Sequence, residues 1–503
     1  MTELHFPFIE SAILVPLVGA LCVRRLSDAY LARRWSLWFT GATFLLAALE
    51  WIDFSILGAV EAEDRWLLTS SLFGRELFIV DRLSAPLLPL AALLYFLTTL
   101  VTLRTKIRRF SFGWSLVSES LILAAFSCKE PWLLIALLGA GTVPPLLELR
   151  ARGRPTFPYV LHLGAYVGLM VVGWAIIESE GVDKLHSLWG VAPLLLAVFI
   201  RSGIVPVHCW MTHLYEHASF GTALLFTMPL TGAYAAVRLL LPVANADVLR
   251  TIGLVSLVTA VYASGMALVQ RDARRFFCYL LLSHSALVLV GLEIVTKLGL
   301  TGALCVWLSS TLALGGFGLS LRALEARRGP LSLTHFQGLY EQTPVLAVFF
   351  FLMGLGAIGF PGTLGFVGSE LLVDGAVGVY PLVGVAVVIA SALNGIAFVK
   401  TYFALFTGTK HSSTVSLRIG GRERFAMLVL TALVVLGGFV PQPGVASRFE
   451  AAEELLERRS RREATAGDHR GIDEDHDGRD DEQAPPAAGH APSTQSHPEP
   501  PAD

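Results

Sequence analysis

The sequence predicts an all-α membrane protein of about fourteen transmembrane helices, with two inverted five-helix repeats and with helices seven and twelve broken. Three observations predict this fold. The 503 residues are 54% hydrophobic and only 16% charged, which is too apolar for a water-soluble domain. Apolar runs recur along most of the chain, and two of them are interrupted by Gly and Pro at matched positions.

The apolar runs are about 18 residues long or longer and are separated by short polar breaks. In lipid every backbone group of such a run must be hydrogen-bonded internally, so each run predicts a helix. The segment LLPLAALLYFLTTLVTL is apolar on all sides and lacks the alternation of a barrel strand. The predicted spans centre near residues 15, 46, 93, 119, 139, 168, 197, 230, 260, 286, 312, 353–373, 390 and 433.

Basic residues orient the predicted spans. They cluster after odd-numbered spans, as with Arg24 and Arg25 after span one and Arg150, Arg152 and Arg154 after span five. Connections after even-numbered spans carry far fewer. The positive-inside rule therefore predicts that both termini lie on the non-cytoplasmic side of a bacterial-type inner (plasma) membrane.

Two predicted spans contain helix-breaking residues. Span seven carries Gly203 and Pro206 within RSGIVPVH, and span twelve carries Gly359, Pro361 and Gly362 within GFPGTLGF. The breaks lie five spans apart, as two inverted five-helix repeats would place them, and matched breaks indicate an ion path. The alternative is that Pro and Gly merely kink buried helices.

This pattern divides the chain into five regions. We expect N-terminal helices one to three in residues 1–110, the first repeat in 111–245, the second repeat in 246–408, a C-terminal helix in 409–450, and a disordered tail in 451–503. Residues 451–465 have the composition of a short helix. The remainder of the tail is rich in Asp, Glu, Pro, Ala and His, which is typical of disorder.

The sequence contains no pattern of a cofactor site. GLGAIG at Gly354–Gly359 matches a nucleotide-binding string, but it lies inside a predicted span and no strand precedes it. The five cysteines form no C-x-x-C pair. We therefore expect no cofactor, no metal, no redox or catalytic site in this chain, and no nucleic-acid partner.

Ionisable residues inside spans are costly, so each is a functional candidate. We predict a proton path through Glu119, Arg201, His208, His284 and Glu370. Histidine suits a relay because it titrates near neutral pH and has two ring nitrogens. The alternatives are a static Glu119–Arg201 ion pair and histidines that serve only as buried hydrogen-bonding groups.

Several strings resemble the antiporter-like membrane subunits of proton-translocating NADH:quinone oxidoreductase, chain M type, which are related to Mrp antiporters and membrane-bound hydrogenases. The strings are FIVDRLSAPLLPL, VPVHCW, RDARRFFCYLLLSH, GFPGTLGF and RERF through VPQP. They occur in family order over about residues 78–442. The resemblance implies the family fold of fourteen helices with broken helices seven and twelve. It also implies proton translocation driven by redox chemistry elsewhere, other membrane subunits and the bilayer as partners, and contact with quinone only through other subunits.

Carried over position by position, Glu119 matches the family's acidic residue in span four, and His208 and His284 match its histidines. Elsewhere the chain departs from the family. The family's span-five glutamate falls on Gly139, its span-seven lysine on Arg201, its span-eight lysine on Leu230, and its span-twelve Lys or Glu on Ser369. Glu148, nine residues after Gly139, would lie on the opposite face of a continuous helix, so it is an unlikely substitute.

The departures leave three functions open. Arginine stays protonated in essentially any protein, so Arg201 can pair or shift but cannot readily relay a proton. The first function is a proton-translocating subunit of a complex I-like or related ion-pumping complex. The second is a degenerate, non-pumping membrane scaffold. The third is the membrane half of an inorganic-carbon or cation/proton transporter.

Overall fold

The computed structural model describes residues 2–64, 77–408 and 418–477, and these residues are mostly helical. The helices are α1 (Phe8–Arg24), α2 (Ala29–Leu57), α3 (Leu87–Val101), α4 (Phe112–Ser127), α5 (Pro131–Ala140), α6 (Val143–Ala151), α7 (Phe157–Glu180), α8 (Leu188–Ser202), α9 (Cys209–His217), α10 (Phe220–Thr227), α11 (Thr231–Ala235), α12 (Ala246–Val269), α13 (Ala273–Glu293), α14 (Lys297–Arg328), α15 (Pro344–Ala357), α16 (Leu364–Val379), α17 (Pro381–Phe406), α18 (Gly421–Phe439) and α19 (Gln442–Asp477). A 3-10 helix occupies Arg104–Arg109, and a π-helical turn, Ala236–Leu240, continues α11. Strands β1 (Thr2–Glu3), β2 (Glu61–Glu63) and β3 (Ile79–Asp81) form a small sheet in which β1 pairs parallel and β3 antiparallel with β2.

Many of these helices have the length and polarity of membrane spans. Eight helical stretches of the described residues are long and apolar enough to cross a bilayer: α2, α5–α6, α7, α10 through the π turn, α12, α13, α14 and α17. A ninth is counted if α18 and the first part of α19, which meet at a bend of 78°, are taken together. Helices α3, α4, α8 and α15 are shorter but also apolar. The prediction of an all-α membrane protein is confirmed at this level.

Helices α13 and α14 lie in the interior of the bundle, whereas α2, α7 and α12 expose much of their surface. Close packing in the interior depends on glycine. A Cβ on Gly302 of α14 would lie 2.4 Å from the backbone nitrogen of Leu372, and one on Gly375 of α16 would lie 2.4 Å from Gly299 Cα. Small residues of this kind let helices approach closely in a membrane. Helices α14 and α16 therefore pack backbone against backbone.

The two predicted interruptions lie between helices. Helix α8 ends at Ser202, and Gly203, with φ +75°, and Pro206 precede the start of α9. Helix α15 ends at Ala357, and Gly359 and Gly362, with φ +72° and +86°, flank Pro361 before α16 begins. Glycine adopts this left-handed conformation at little cost, and proline ends helical hydrogen bonding.

A third interruption was not predicted. Leu230, between α10 and α11, has φ +50°, which is the only positive value for a non-glycine residue within the described residues. A branched side chain at positive φ is strained, so the surrounding packing must hold it there.

The sheet is tied to the bundle by charged side chains. Arg238 in the π turn donates two hydrogen bonds to Asp81 of β3, at 2.6 and 2.8 Å. Lys129 pairs with Glu61 of β2 at 2.5 Å, and Arg458 of α19 pairs with the same carboxylate. Burial alone would raise the pKa of Asp81, but Arg238 and Lys129 outweigh it and hold that pKa below its usual range.

The structure changes the boundary that we predicted for the C-terminal tail. Residues 451–477, which fall in the predicted disordered region of 451–503, are helical and belong to α19. Tertiary contacts explain the difference. Arg448 donates to Leu83 O at 3.1 Å, and Arg459 donates to Leu241 O and Ala244 O at 2.9 and 2.7 Å. Residues 478–503 lie outside the described residues.

Candidate functional site

Glu119 is a fully buried carboxyl group on α4. Neither of its carboxylate oxygens has a hydrogen-bond partner within the described residues. Tyr95 of α3 interacts with Ser118, and electrostatically with Glu119 and Arg201. Glu119 is therefore a buried carboxyl group that no cation of the described residues holds in place.

Arg201, at the end of α8, is 4% exposed. Its Nη2 donates to Phe226 O at 2.8 Å, and the guanidinium carbon lies 4.1 Å from the centre of the Phe226 ring and 5.5 Å from that of Trp210. No carboxylate of the described residues pairs with it within 4.0 Å. The alternative of a static Glu119–Arg201 ion pair is therefore wrong, because a carbonyl and aromatic faces hold the cation instead.

A small cavity lies between α4 and α8. It measures about 30 Å³ and is lined by Tyr95, Ser118, Arg201 and Phe226, among others. We call these four residues the Arg201 pocket. A polar cavity of this size has room for one or two water molecules. Tyr95 thus lies where water can link the neighbourhood of Glu119 to that of Arg201.

Glu148 borders a second cavity that also reaches Tyr95 and Ser118. Its carboxylate accepts hydrogen bonds from Ser219 N at 2.7 Å and Arg152 Nε at 2.8 Å. The sequence argument against Glu148 assumed one continuous helix. The chain instead turns between α5 and α6, which changes the direction of every side chain after Thr142. Glu148 therefore lies between the basic end of the bundle and the Arg201 pocket.

His284 occupies a separate cavity on the other side of α13. Its Nδ1 lies 3.1 Å from Ser310 Oγ, and its Nε2 has no partner within the described residues. The cavity measures about 20 Å³, and its lining includes His284, Ser309, Ser369 and Asn394. We call these four residues the His284 pocket. The break between α15 and α16 opens onto it through Gly359.

One hydrogen bond connects the two regions. Ser285, which follows His284 on α13, donates from Oγ to Ser202 O at 3.2 Å, and Ser202 follows Arg201. The break after α8 frees this carbonyl from its helical partner, because residue 206 is a proline without an N–H group. The first interruption is thereby joined to the helix that carries His284.

Glu119 follows the lining residue Ser118 on α4 but does not itself line either pocket, and His208 and Glu370 also lie outside both. His208 precedes α9 with its ring 6.0 Å from the rings of Tyr262 and Tyr279, and Tyr262 is 40% exposed. Glu370 is exposed on the outer face of α16, while its neighbour Ser369 faces the His284 pocket. One residue along a helix rotates a side chain by about 100°, which separates these two environments.

Gly139, the position that corresponds to the family's glutamate in span five, packs against a neighbouring helix. A Cβ on Gly139 would touch Val167 Cγ1 at 3.4 Å, so this position faces α7 rather than a cavity.

The sequence did not indicate Tyr95, Ser118, Ser310 and Asn394 as site residues, because a hydroxyl or amide group in an apolar run carries no signal of its own.

Comparisons with known proteins agree with this fold and with the resemblance seen in the sequence. Residues 162–394 match the family model described as NADH:quinone oxidoreductase/Mrp antiporter, TM. The chain is 27% identical to NADH-quinone oxidoreductase subunit 13 of Thermus thermophilus, over 74% of this chain and 83% of that protein. It is 28% identical to NADH-quinone oxidoreductase subunit M of Escherichia coli, over 53% of each chain.

Solved structures show the same fold. A chain of respiratory complex I from Thermus thermophilus superposes with a TM-score of 0.77 at 22% identity, covering 90% of this chain and 99% of that one. A chain of the Mrp complex from Dietzia superposes with a TM-score of 0.75 at 18% identity, covering 91% and 99%. Both neighbours are parts of multi-subunit membrane complexes. The chain is therefore a multi-pass membrane protein that is similar to antiporter-like subunits of NADH:quinone oxidoreductase and Mrp complexes, and its residues 162–394 match the model of that family.

Proposed function

We propose that this chain is a proton-translocating subunit of a complex I-like NADH:quinone oxidoreductase or of a related ion-pumping complex, with electron transfer and quinone contact in other subunits. The observation that carries the proposal is Glu119, a fully buried carboxyl group with no hydrogen-bond partner among the described residues, whose neighbour on α4, Ser118, lines a cavity together with Arg201. Ionisable groups within a bilayer are costly and mark ion pathways.

The proposed topology has fourteen spans. Helices α5 with α6, α8 with α9, α10 with the π turn, and α15 with α16 each count as one span, and α18 is the last. Spans four to eight and nine to thirteen form two inverted repeats, and both termini lie on the non-cytoplasmic side of a bacterial inner membrane. The support is the alternation of basic connections and the five-span interval between the glycine-rich interruptions.

The proposed path begins at the basic, cytoplasmic end of the bundle. Protons pass Glu148 to the water-sized cavities lined by Tyr95 and Ser118, and Glu119, the next residue on α4, takes them up. Arg201 contributes a fixed positive charge to the cavity that it shares with Tyr95 and Ser118. The contact between Ser202 and Ser285 leads to His284, whose second ring nitrogen is free to pass a proton into the His284 pocket.

Glu119→Gln tests the proposal in the assembled complex. Glutamine keeps the shape of the side chain but cannot carry a proton, so we expect redox-driven proton uptake to fall at least about tenfold, in line with the loss of a proton-transfer group. Glu370→Gln, an exposed carboxylate on α16, is the matched control and should leave uptake unchanged. Normal uptake in Glu119→Gln would refute the assignment of Glu119.

A non-pumping membrane scaffold is the second candidate, and Arg201 favours it. The guanidinium is held by Phe226 O and two aromatic rings, and arginine does not release its proton. A scaffold would leave proton uptake unchanged in both Glu119→Gln and His284→Gln while the complex still assembled. Loss of uptake in either variant would exclude this role.

A further inference from the structure

A large cavity lies at the basic end of the bundle, and its lining residues are different from those of the path proposed above. It measures about 860 Å³ and is walled by the 3-10 helix, by the residues that follow α6, and by the ends of α9, α12, α13 and α14. We call it the basic basin. Its volume is in the range of sites that hold small molecules of drug or lipid-headgroup size.

The acidic residues of the basic basin are already engaged. Glu325 accepts hydrogen bonds from Arg274, and Glu216 accepts one from Arg275 at 2.7 Å. Asp272 accepts the backbone N–H groups of Arg274 and Arg275 at 2.9 and 3.1 Å and caps α13. The basin is lined by these three carboxylates and by seven Lys and Arg side chains, so the balance of charge in it is positive.

Five other cations line the same cavity: Lys106, Arg152, Arg154, Arg271 and Arg322. Arg152 pairs with Glu148, and Arg322 donates to Thr98 O. The side chains of the remaining three, Lys106, Arg154 and Arg271, have no hydrogen bond or ion pair with a described residue, and Arg154 and Arg271 are exposed. Like charges around one cavity repel one another, and an anion between them removes that repulsion. The basin therefore has the charge of an anion-binding site, with guanidinium groups suited to phosphate.

An apolar stripe leads from the lipid-facing side of α12 into the basin. Leu254, Val258, Tyr262 and Val269 are 46%, 68%, 40% and 60% exposed and recur at helical spacing on one face. Val269 also lines the basin. The helix rises about 22 Å from Leu254 to Val269, which exceeds the ~15 Å of hydrocarbon in one leaflet.

We infer that the basic basin binds the headgroup of an anionic phospholipid from the cytoplasmic leaflet, with its acyl chains along the exposed stripe of α12. Cations at the cytoplasmic end of a membrane protein attract the acidic lipids of that leaflet. A free phosphate ion would satisfy the charges but would leave the apolar stripe without a role. The inference does not depend on proton translocation, because it concerns residues that the proposed path does not use.

The test counts phospholipid retained by the assembled complex, purified from bilayers of phosphatidylcholine with phosphatidylglycerol and measured by native mass spectrometry. The variant Lys106→Gln/Arg154→Gln/Arg271→Gln should retain at least about fivefold less phosphatidylglycerol. The matched control is Arg24→Gln/Arg25→Gln/Arg34→Gln, which removes three exposed cations that do not line the basin. Equal retention by the two triple variants would overturn the inference.

A second variant guards against misfolding of the triple variant. Val269→Asp places a carboxylate where the stripe meets the basin, so it should lower phosphatidylglycerol retention well below that of the neutral variant Val269→Asn. Equal retention by these two would count against a charged headgroup in the basin.

Two further outcomes distinguish other occupants. If inorganic phosphate at millimolar concentration displaces the retained phosphatidylglycerol, the basin is a soluble-anion site and the lipid assignment is wrong. If the triple variant loses a protein chain of the complex while its phospholipid content is unchanged, the basin is a protein contact. Retention that resists phosphate and depends on the three cations supports the lipid site.

Discussion

The Arg201 pocket and the His284 pocket lie near similar interruptions of the backbone, but the side chains that line them differ in charge. Each lies near a helix interruption that contains a glycine at positive φ, Gly203 in one case and Gly359 in the other. The Arg201 pocket contains a permanent cation held by a carbonyl and by aromatic rings. The His284 pocket contains neutral hydroxyl and amide groups around one titratable ring.

Because the two pockets differ in charge, their side chains are suited to different steps of proton transfer. A permanent positive charge cannot carry a proton, but it can change the proton affinity of a nearby acid. An imidazole with one nitrogen bound and the other free can accept and release a proton itself. In the proposed path the first region therefore supplies a fixed charge, and the second passes a proton on.

The largest expected effect concerns the glycines at positive φ in the two interruptions. In Gly203→Ala, a Cβ would lie 2.3 Å from Leu282 Cδ2 at φ +75°, so strain and overlap together should destabilise the chain by about 2–4 kcal/mol. In Gly359→Ala the nearest atom is Ser369 Oγ at 2.8 Å, and we expect about 1–2 kcal/mol because that hydroxyl can rotate. Unfolding of the complex in graded detergent denaturant measures both.

Gly265→Ala is the control for these two variants. It lies on α12 with no atom near the new Cβ, so alanine should be neutral or slightly stabilising. If Gly203→Ala were no worse than Gly265→Ala, the interruption after α8 would not need a left-handed residue.

The second prediction concerns the titratable ring. We expect His284→Gln to lower proton uptake about tenfold, because glutamine can hydrogen-bond to Ser310 but does not titrate. His208→Gln, outside both pockets, should lower it less than about twofold. Equal losses in the two variants would mean that the tyrosine-flanked His208 is also part of the path.

The third prediction concerns the permanent cation. Arg201→Lys should raise passive proton conductance of vesicles about threefold or more, because a buried lysine, unlike arginine, can lose its proton. Arg322→Lys is the control. Arg322 is half-buried, is held by Thr98 O at 2.8 Å and lies 5.1 Å from the Phe110 ring, but it lines the basic basin. A similar rise in both variants would indicate leakage rather than a restored relay.

The smallest effect is expected at Ser310. Its hydroxyl lies 3.1 Å from His284 Nδ1 and helps to fix the ring's orientation and tautomer. We expect Ser310→Ala to lower proton uptake about twofold, the loss of one positioning hydrogen bond, and to change the pH at which uptake is half-maximal. Thr301→Ala, which removes a helical hydroxyl bonded to its own backbone, should change neither.

The sequence by itself determined the membrane class and two of the places where helices break. Long apolar runs leave only helices possible in lipid, and Gly203, Pro206, Gly359 and Pro361 carry their backbone preferences wherever they occur. These properties are local, so the order of residues is enough to read them.

Only the tertiary structure decided which buried groups meet. Glu119 has a tyrosine beside it rather than the paired arginine that charge alone suggested, and Ser369 rather than Glu370 faces the His284 pocket. The turn between α5 and α6 brings Glu148 to the inner cavities, and contacts of Arg448 and Arg459 hold a helix in a polar tail. Which face of a helix points inward depends on all its neighbours at once, and no local pattern of residues contains that information.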